Sequence, residues 1–144
     1  MNYALLIFWG LVVFFFSCTT SFFHLLTQGT LQFNLFHPDF SAFFELYPFS
    51  FSNTFLVIQK TGHSLSFLIL AFLLHNCLRN VKNAMLFACL FGLLLELCQP
   101  FFGRDGRLID VFVNGFGVAV YFFLYLLIQV REKYTYATEE QQEI

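Results

Sequence analysis

The sequence predicts an all-α integral membrane protein in which four transmembrane helices form a small bundle with a short interfacial segment between the first two. Hydrophobic residues make up 58% of the 144 residues, and charged residues only 11%, whereas a soluble domain carries about 25% charged residues. The apolar residues also fall in four runs, each close to the ~20 residues that a helix needs to cross a bilayer. With so few charges, much of the protein surface must face lipid.

The first run is an N-terminal span within residues 1–26, beginning at Tyr3. It contains no Asp, Glu, Lys or Arg. Because no basic residue precedes it and no small-residue cleavage site follows it, we interpret it as a retained helix rather than a signal peptide. Tyr3 and Trp9 are expected to anchor its near end at the membrane interface. Because it contributes none of the clustered polar residues described below, this helix is expected to act as an anchor or a lipid-facing wall.

Residues 27–53 form an aromatic-rich connecting segment that also carries polar residues. Pro38 and Pro48 interrupt any long helix there, since proline removes a backbone donor and clashes with the preceding turn. The stretch between the two prolines is expected to form a short helix capped by Asp39. A segment with this composition is expected to lie in the membrane interface.

Residues 54–130 are predicted to form a three-helix core, followed by a polar, frayed tail over residues 131–144. The core is divided by a short polar turn at residues 79–83 and by a tight Gly-Arg-Asp-Gly-Arg loop at residues 103–107. The three predicted spans are residues 54–78, 84–102 and 108–130.

The orientation of the bundle follows from the basic residues near its ends. One end carries four of them, which are Arg79, Lys82, Arg131 and Lys133. The other end carries three, which are Lys60, Arg104 and Arg107. The two arginines of the loop are accompanied by acidic residues and are candidates for a site. We therefore predict a multi-pass cell-membrane protein with both termini in the cytoplasm.

Polar side chains occur at helical spacing on each of the last three spans, always toward the same membrane face. An ionisable residue within a span costs roughly 2.5–3.5 kcal/mol at the helix centre on insertion scales, so it tends to have a partner or a function. Residues three or four apart share one helix face. The pairs are Lys60 with His63, Glu96 with Gln99, and Asp110 with Asn114, and Arg104 joins them from the loop.

Two interpretations of this cluster compete. In the first, Glu96 and Asp110 pair with Arg104 and Lys60, and the amides bridge helices, so that the cluster only holds the bundle together. In the second, the cluster is a pocket for recognition or catalysis at headgroup level. Arg104 with Lys60 would hold a phosphate, Gln99 and Asn114 would add ligand contacts, and His63 or Glu96 would move a proton. Spacing alone does not decide between them.

Close helix packing is expected at the start of the last span. Gly115 and Gly117 lie on the helix that carries Asp110 and Asn114. Small residues let transmembrane helices approach closely. We therefore expect a neighbouring helix to pack against these two glycines.

Composition also excludes some classes of function. The net charge is −2, and no basic patch with interleaved aromatic residues occurs, so no nucleic-acid partner is expected. No Cys/His spacing typical of a metal site is present, and no cofactor is expected. The four cysteines lie in apolar runs and are expected to be buried, reduced thiols; they are Cys18, Cys77, Cys89 and Cys98.

Over roughly residues 55–125, the polar residues resemble the pattern of the VanZ-like membrane proteins. That pattern runs Asp-Lys-x-x-His, Glu-x-x-Gln, an Arg, and Asp-x-x-x-Asn-x-x-Gly. It corresponds here to Lys60-Thr61-Gly62-His63, Glu96-Leu97-Cys98-Gln99, Arg104, Asp110, Asn114 and Gly117. The sequence departs from the pattern at Gln59, which replaces the acid before the lysine, at Arg107, which stands where a polar or acidic residue is common, and in a slightly shorter linker before Arg104.

The resemblance implies the fold and the pocket more than a reaction. The family's namesake raises resistance to the glycopeptide teicoplanin, so envelope or glycopeptide tolerance is the implied process. Our leading hypothesis is a pocket that binds a polar or anionic envelope component, such as a membrane lipid or lipid-linked headgroup. One alternative is an enzyme acting on a lipid-linked phosphate, with His63 as acid or base and Glu96 or Asp110 orienting it, although no established phosphatase signature occurs. The other is a structural partner with a neutralised cluster. A homo-oligomer is compatible with all three.

Overall fold

The computed structural model describes residues 3–19, 27–30, 33–45 and 53–142, with side chains as far as residue 135. Helices dominate this part of the chain, which contains no β-strand, so the predicted all-α class is confirmed. The helices are α1 (Tyr3–Cys18), α2 (Thr54–Leu78), α3 (Val81–Cys98) and α4 (Leu108–Gln142), with 3-10 turns at Ser41–Phe44 and Gln99–Phe102.

Three of these helices are long and apolar enough to cross a membrane. They cover Thr54–Leu78, Val81–Phe102 (α3 with its 3-10 turn) and Leu108–Thr135. The helix α1 has 16 residues, which at ~1.5 Å per residue gives about 24 Å, less than the ~30 Å of hydrocarbon. The first span was predicted to reach Leu26, whereas the observed helix ends at Cys18; residues 20–26 lie outside the described residues.

The connection between α2 and α3 is shorter than predicted. Arg79 adopts the left-handed conformation, with φ 56°, and its N–H donates to the His75 carbonyl, which ends α2. The Asn80 side chain accepts a hydrogen bond of 3.1 Å from the Asn83 N–H and caps the start of α3. Capping by asparagine satisfies one of the donors that every helix start leaves open. The turn is therefore two residues long rather than the five of the predicted 79–83.

The helix α4 continues well past the membrane span. It runs to Gln142, so the tail predicted to fray beyond residue 130 is helical. No glycine or proline occurs after Gly117 in the chain, and nothing in the sequence breaks the helix there. The Thr135 hydroxyl donates to the Arg131 carbonyl within this extension.

A compact set of apolar side chains joins the four helices. The core centres on Phe67 of α2, Leu95 of α3 and Val118 of α4, each at most 1% exposed. At Gly117 a β-carbon would overlap the Ser64 carbonyl oxygen, so α2 and α4 pack backbone to backbone as predicted. The same expectation for Gly115 is wrong, because its Cα faces open space.

The helix α1 packs along α2 through its tryptophan. The Trp9 indole N–H donates to the Ser66 carbonyl at 3.1 Å. Trp9 therefore joins two helices, and its anchoring at the interface stays a prediction. Tyr3, by contrast, is 53% exposed.

The described part of the connecting segment lies against one end of the bundle. The Phe36 N–H donates to the Phe101 carbonyl at 2.9 Å. The Asp39 carboxylate accepts a 2.9 Å hydrogen bond from the Ser41 N–H at the start of the 3-10 turn Ser41–Phe44. This hydrogen bond lowers the pKa of Asp39 from its ordinary value. The predicted short helix is thus a single turn, and Pro48 lies outside the described residues.

The polar end of the bundle is where α1 and α3 finish and α2 and α4 begin, and the turn end is the opposite one, with the Arg79–Asn80 turn.

The thiols of Cys18 and Cys77 are buried, that of Cys98 is half-buried, and that of Cys89 is exposed. The expectation of a buried thiol is therefore wrong for Cys89.

Candidate functional site

The carboxylate of Glu96 is the hub of the polar end. It is completely buried near the end of α3. Its Oε1 accepts hydrogen bonds from the Gln99 amide at 3.1 Å and from the Asn114 amide at 3.3 Å. Its Oε2 accepts from the Arg107 backbone N–H at 3.3 Å. Three N–H donors directed at one carboxyl group suit its ionised form, which is an acceptor only.

The two amides of the hub are as deeply buried as the carboxylate. Gln99 is 2% exposed and Asn114 is 1% exposed. Helical spacing predicted that Glu96 and Gln99 share a face, and the structure brings them into contact. Asn114 reaches the same oxygen from α4, so the hub ties the two helices together.

The loop backbone closes over this hub. Gly106 is buried, and a β-carbon there would overlap the Glu96 carbonyl oxygen. Only glycine leaves room for the loop to approach this closely, which brings the next N–H, that of Arg107, onto the carboxylate. The Arg107 guanidinium turns outward and pairs with the exposed Asp105 at 2.8 Å.

Lys60 and Asp110 form an ion pair between α2 and α4. Their side chains are 15% and 14% exposed, respectively. This is one of the pairs that the structural interpretation of the cluster predicted. The other predicted pair does not form: among the described residues, Glu96 has no cationic partner within 4 Å, because backbone and amide donors occupy its oxygens.

Arg104 bridges the loop to the first helix. Its Nη1 donates to the Ser17 carbonyl at the end of α1, at 2.9 Å. Burial lowers the pKa of Arg104 from its ordinary value, and the nearby charge of Glu96 opposes that shift. A guanidinium stays protonated under either influence, and it carries five donors. Within the described chain, the Arg104 side chain makes this one hydrogen bond. Arg104 forms no ion pair there.

A small cleft with both polar and apolar lining lies between α1 and α2, next to the Ser17 residue that Arg104 contacts. Its volume is about 130 Å³, and its polar lining comes from Ser17, Gln59, His63 and Ser66. Ser17 therefore borders the cleft and also accepts the Arg104 hydrogen bond. The predicted proton-transfer candidate His63 is half-buried in this cleft.

His63 also lies close to the hub. Its imidazole approaches the Asn114 side chain. The Asn114 amide nitrogen donates to Glu96, and the Asn114 Oδ1 has no hydrogen-bond partner among the described residues. An imidazole N–H is the kind of donor that this oxygen lacks.

All seven predicted site residues thus lie at the polar end, but they divide into three groups. Glu96, Gln99 and Asn114 form the hub, and Lys60 and Asp110 form the ion pair. His63 lines the cleft, and Arg104 contacts the Ser17 carbonyl next to it. Lys60 and Arg104, which the sequence analysis expected to hold a phosphate together, have different protein partners. Within the described ranges, no three His, Cys, Asp or Glu side chains lie close enough to hold a metal ion.

Two features were missed by the sequence analysis. The first is the role of α1, which supplies the Ser17 carbonyl and one wall of the cleft, so it is more than a lipid-facing wall. The second is His75, whose Nδ1 shares a hydrogen bond with the hydroxyl of Tyr121 toward the turn end. His75 also packs edge-on against Tyr125, at 5.0 Å between ring centroids.

Comparison with known proteins identifies a family and a related protein. The family model VanZ/LLP1 matches residues 2–129, so the match extends through α1, beyond the residues that carry the sequence motifs. The chain is also 31% identical over 137 residues to the "Uncharacterized membrane protein YwnJ" of Bacillus subtilis (strain 168), covering 94% of this chain and 98% of that one. No solved structure matches the chain at a significant level.

The arrangement is chemically suited to binding a polar group from within the membrane. The cleft offers an imidazole and serine and glutamine groups, and a guanidinium with spare donors lies next to it on the Ser17 carbonyl. The hydrogen-bonded hub lies at the same end of the bundle. The long apolar helices, the motif residues gathered at one end of the bundle and the match over residues 2–129 together identify the chain as a membrane protein of the VanZ/LLP1 family.

Proposed function

We propose that the polar end binds the anionic or polar headgroup of a cell-envelope lipid or lipid-linked component. The observation that carries the proposal is Arg104, which is half-buried beside the cleft and uses one donor on the Ser17 carbonyl. Arginine binds phosphate and carboxylate groups with two parallel N–H donors. The remaining donors of Arg104 and the side chain of His63 would meet such a group in the cleft.

The charge arrangement supports an anion at this position. The positive charge of Arg104 is balanced by Glu96 at a distance and not by a contacting carboxylate among the described residues. Glu96 in turn is held by the amides of Gln99 and Asn114. An anion in the cleft would supply Arg104 with the direct partner that Lys60 already has in Asp110.

Binding of a short-chain phospholipid tests this function. Isothermal titration of the detergent-purified protein with dihexanoyl phosphatidylglycerol, below its micellar concentration, should give a signal that dihexanoyl phosphatidylcholine does not match. Arg104→Gln should weaken binding of the anionic lipid by about tenfold or more, the worth of a charge-assisted hydrogen bond. The matched control is Arg131→Gln on the distant part of α4. Equal affinities of the two variants would contradict the proposal.

A second candidate function is structural, and the hub favours it. Glu96, Lys60 and Asp110 already have protein partners, as expected for a cluster that only fixes helix packing. This alternative expects Arg104→Gln to lower thermal stability in detergent while binding no lipid differently from the wild type. Stability and affinity measured on the same preparations separate the two functions.

We also infer that the polar end faces the outside of the cell and both termini the cytoplasm. Four of the basic residues lie at the turn end or on the adjoining extension of α4; they are Arg79, Lys82, Arg131 and Lys133. In a background without native cysteines, a membrane-impermeant maleimide should label Asp105→Cys, but not Tyr134→Cys, in intact cells. The Asp105 side chain is 63% exposed, and Tyr134 as a whole is 72% exposed. The opposite labelling pattern would reverse the orientation.

A further inference from the structure

An apolar groove lies between α1, α2 and α3, well away from the polar end. Its volume is about 500 Å³, within the ~300–1,000 Å³ typical of ligand pockets. Leu70 lies at its floor, 3% exposed, and Leu90 and Leu94 lie at its rim, 50% and 55% exposed. On α1 the lining includes Gly10, at which an added β-carbon would meet nothing within 4 Å. The groove is therefore open to the membrane. It has free space at Gly10, which carries no side chain.

The groove follows the helix axis and ends beside the basic turn. On α2 it is lined by Leu70, Leu74 and Leu78, which are spaced one helical turn apart and span about 12 Å at ~1.5 Å per residue. The residue after Leu78 is Arg79. This length and direction suit a hydrocarbon chain that lies parallel to the bilayer normal.

The basic turn carries two positive charges that form no ion pair within the described chain. Arg79 and Lys82 are both exposed, and no Asp or Glu occurs between residues 46 and 95 of the sequence. Their charges are therefore available to an external anion at the level of the lipid headgroups.

We propose that the groove and the basic turn together bind one anionic phospholipid, its acyl chain along Leu70, Leu74 and Leu78 and its headgroup phosphate between Arg79 and Lys82. A second copy of the chain is a poorer occupant. Two copies inserted in the same orientation and joined through this groove would bring their unneutralised basic turns to the same membrane level, where like charges repel. An anionic lipid satisfies the apolar groove and the cationic end at once. This site is separate from the one proposed at the polar end.

Native mass spectrometry of the full chain tests the proposal. The protein would be reconstituted in nanodiscs of phosphatidylglycerol and phosphatidylcholine in equal amounts, extracted in mild detergent, and its retained lipids counted. The wild type should retain phosphatidylglycerol preferentially. Replacing both Arg79 and Lys82 with Gln should reduce that preference by about fivefold per charge removed. The charge-matched control replaces Arg131 and Lys133 with Gln and should leave it unchanged.

A second variant tests the groove itself. Gly10→Leu should fill the open space and reduce retention of both lipids, and Gly115→Leu is its control, since that glycine also faces open space but lies outside the groove. Retention by Gly10→Leu equal to that of Gly115→Leu would overturn the proposal. An equal loss of phosphatidylglycerol preference in the two double charge variants would also overturn it. A wild-type dimer that Gly10→Leu dissociates would do the same. The Arg104→Gln variant acts at the other end, so the two lipid sites fail or succeed separately.

Discussion

Replacing Glu96 with Leu should destabilise the bundle far more than most substitutions between side chains of similar size. The substitution removes the acceptor of three N–H donors, from Gln99, Asn114 and the Arg107 backbone. Each buried donor left unsatisfied costs about 1–3 kcal/mol. Because the Arg107 N–H is only partly buried, we expect a total loss of about 3–5 kcal/mol in the free energy of unfolding. Unfolding in mixed micelles of dodecylmaltoside and SDS, followed by circular dichroism, measures it.

Two further variants separate the orphaned donors from a simple change in packing. Glu96→Gln keeps one acceptor oxygen but directs an amide N–H at one of the donors, so it should cost about 1–3 kcal/mol. Adding Gln99→Leu and Asn114→Leu to Glu96→Leu removes two of the orphaned donors and should recover about half of the loss. A Glu96→Leu protein as stable as the wild type would refute this reasoning. So would a triple variant less stable than the single one.

Two other predictions concern contacts between α2 and α4. Lys60→Met leaves Asp110 without its ionic partner and should lower the free energy of unfolding by about 2 kcal/mol, whereas adding Asp110→Leu should restore most of that stability. Chemical unfolding of both variants measures this, and a double variant less stable than the single one would contradict it. Gly117→Ala overlaps the Ser64 carbonyl and should cost about 1–3 kcal/mol, whereas Gly115→Ala, in open space, should be neutral or slightly stabilising. Equal melting temperatures for the two alanine variants would argue against the close approach of α2 and α4.

The membrane fold and the polar end could be predicted because both depend on local patterns. Apolar runs set the spans, and the observed bounds of α2, Thr54–Leu78, agree with the predicted residues 54–78. Spacing of three or four residues placed Glu96 beside Gln99, a contact made within one helix and its following turn. Such contacts follow from helix geometry alone.

The partners across helices could not be predicted in the same way. The carbonyl of Ser17 and the N–H of Arg107 are backbone groups, which carry no signal in the sequence. Their positions depend on how α1 and the loop pack against α3. The same holds for His75 and Tyr121, which are 46 residues apart and meet only because α2 and α4 are neighbours.

Helix ends show a third reason for differences between sequence and structure. Asn80 lies in a polar stretch that suggested a longer turn, but its side chain caps α3 and lets the helix start at Val81. Beyond residue 130, charge suggested a frayed tail, yet α4 continues to Gln142. Polarity ends the membrane span there without ending the helix, because polar residues with good helix propensity continue it.

The most direct measurement of the central claim is an experimental structure of the protein in nanodiscs that contain phosphatidylglycerol. If the polar end is a headgroup site, density for a phosphate group should lie in the cleft beside His63, within hydrogen-bonding distance of the Arg104 guanidinium. The Glu96 hub should be intact behind it. A cleft filled by protein side chains or by lipid tails, with Arg104 bound to protein carbonyl groups alone, would contradict the proposed function and leave the polar end as a structural clamp.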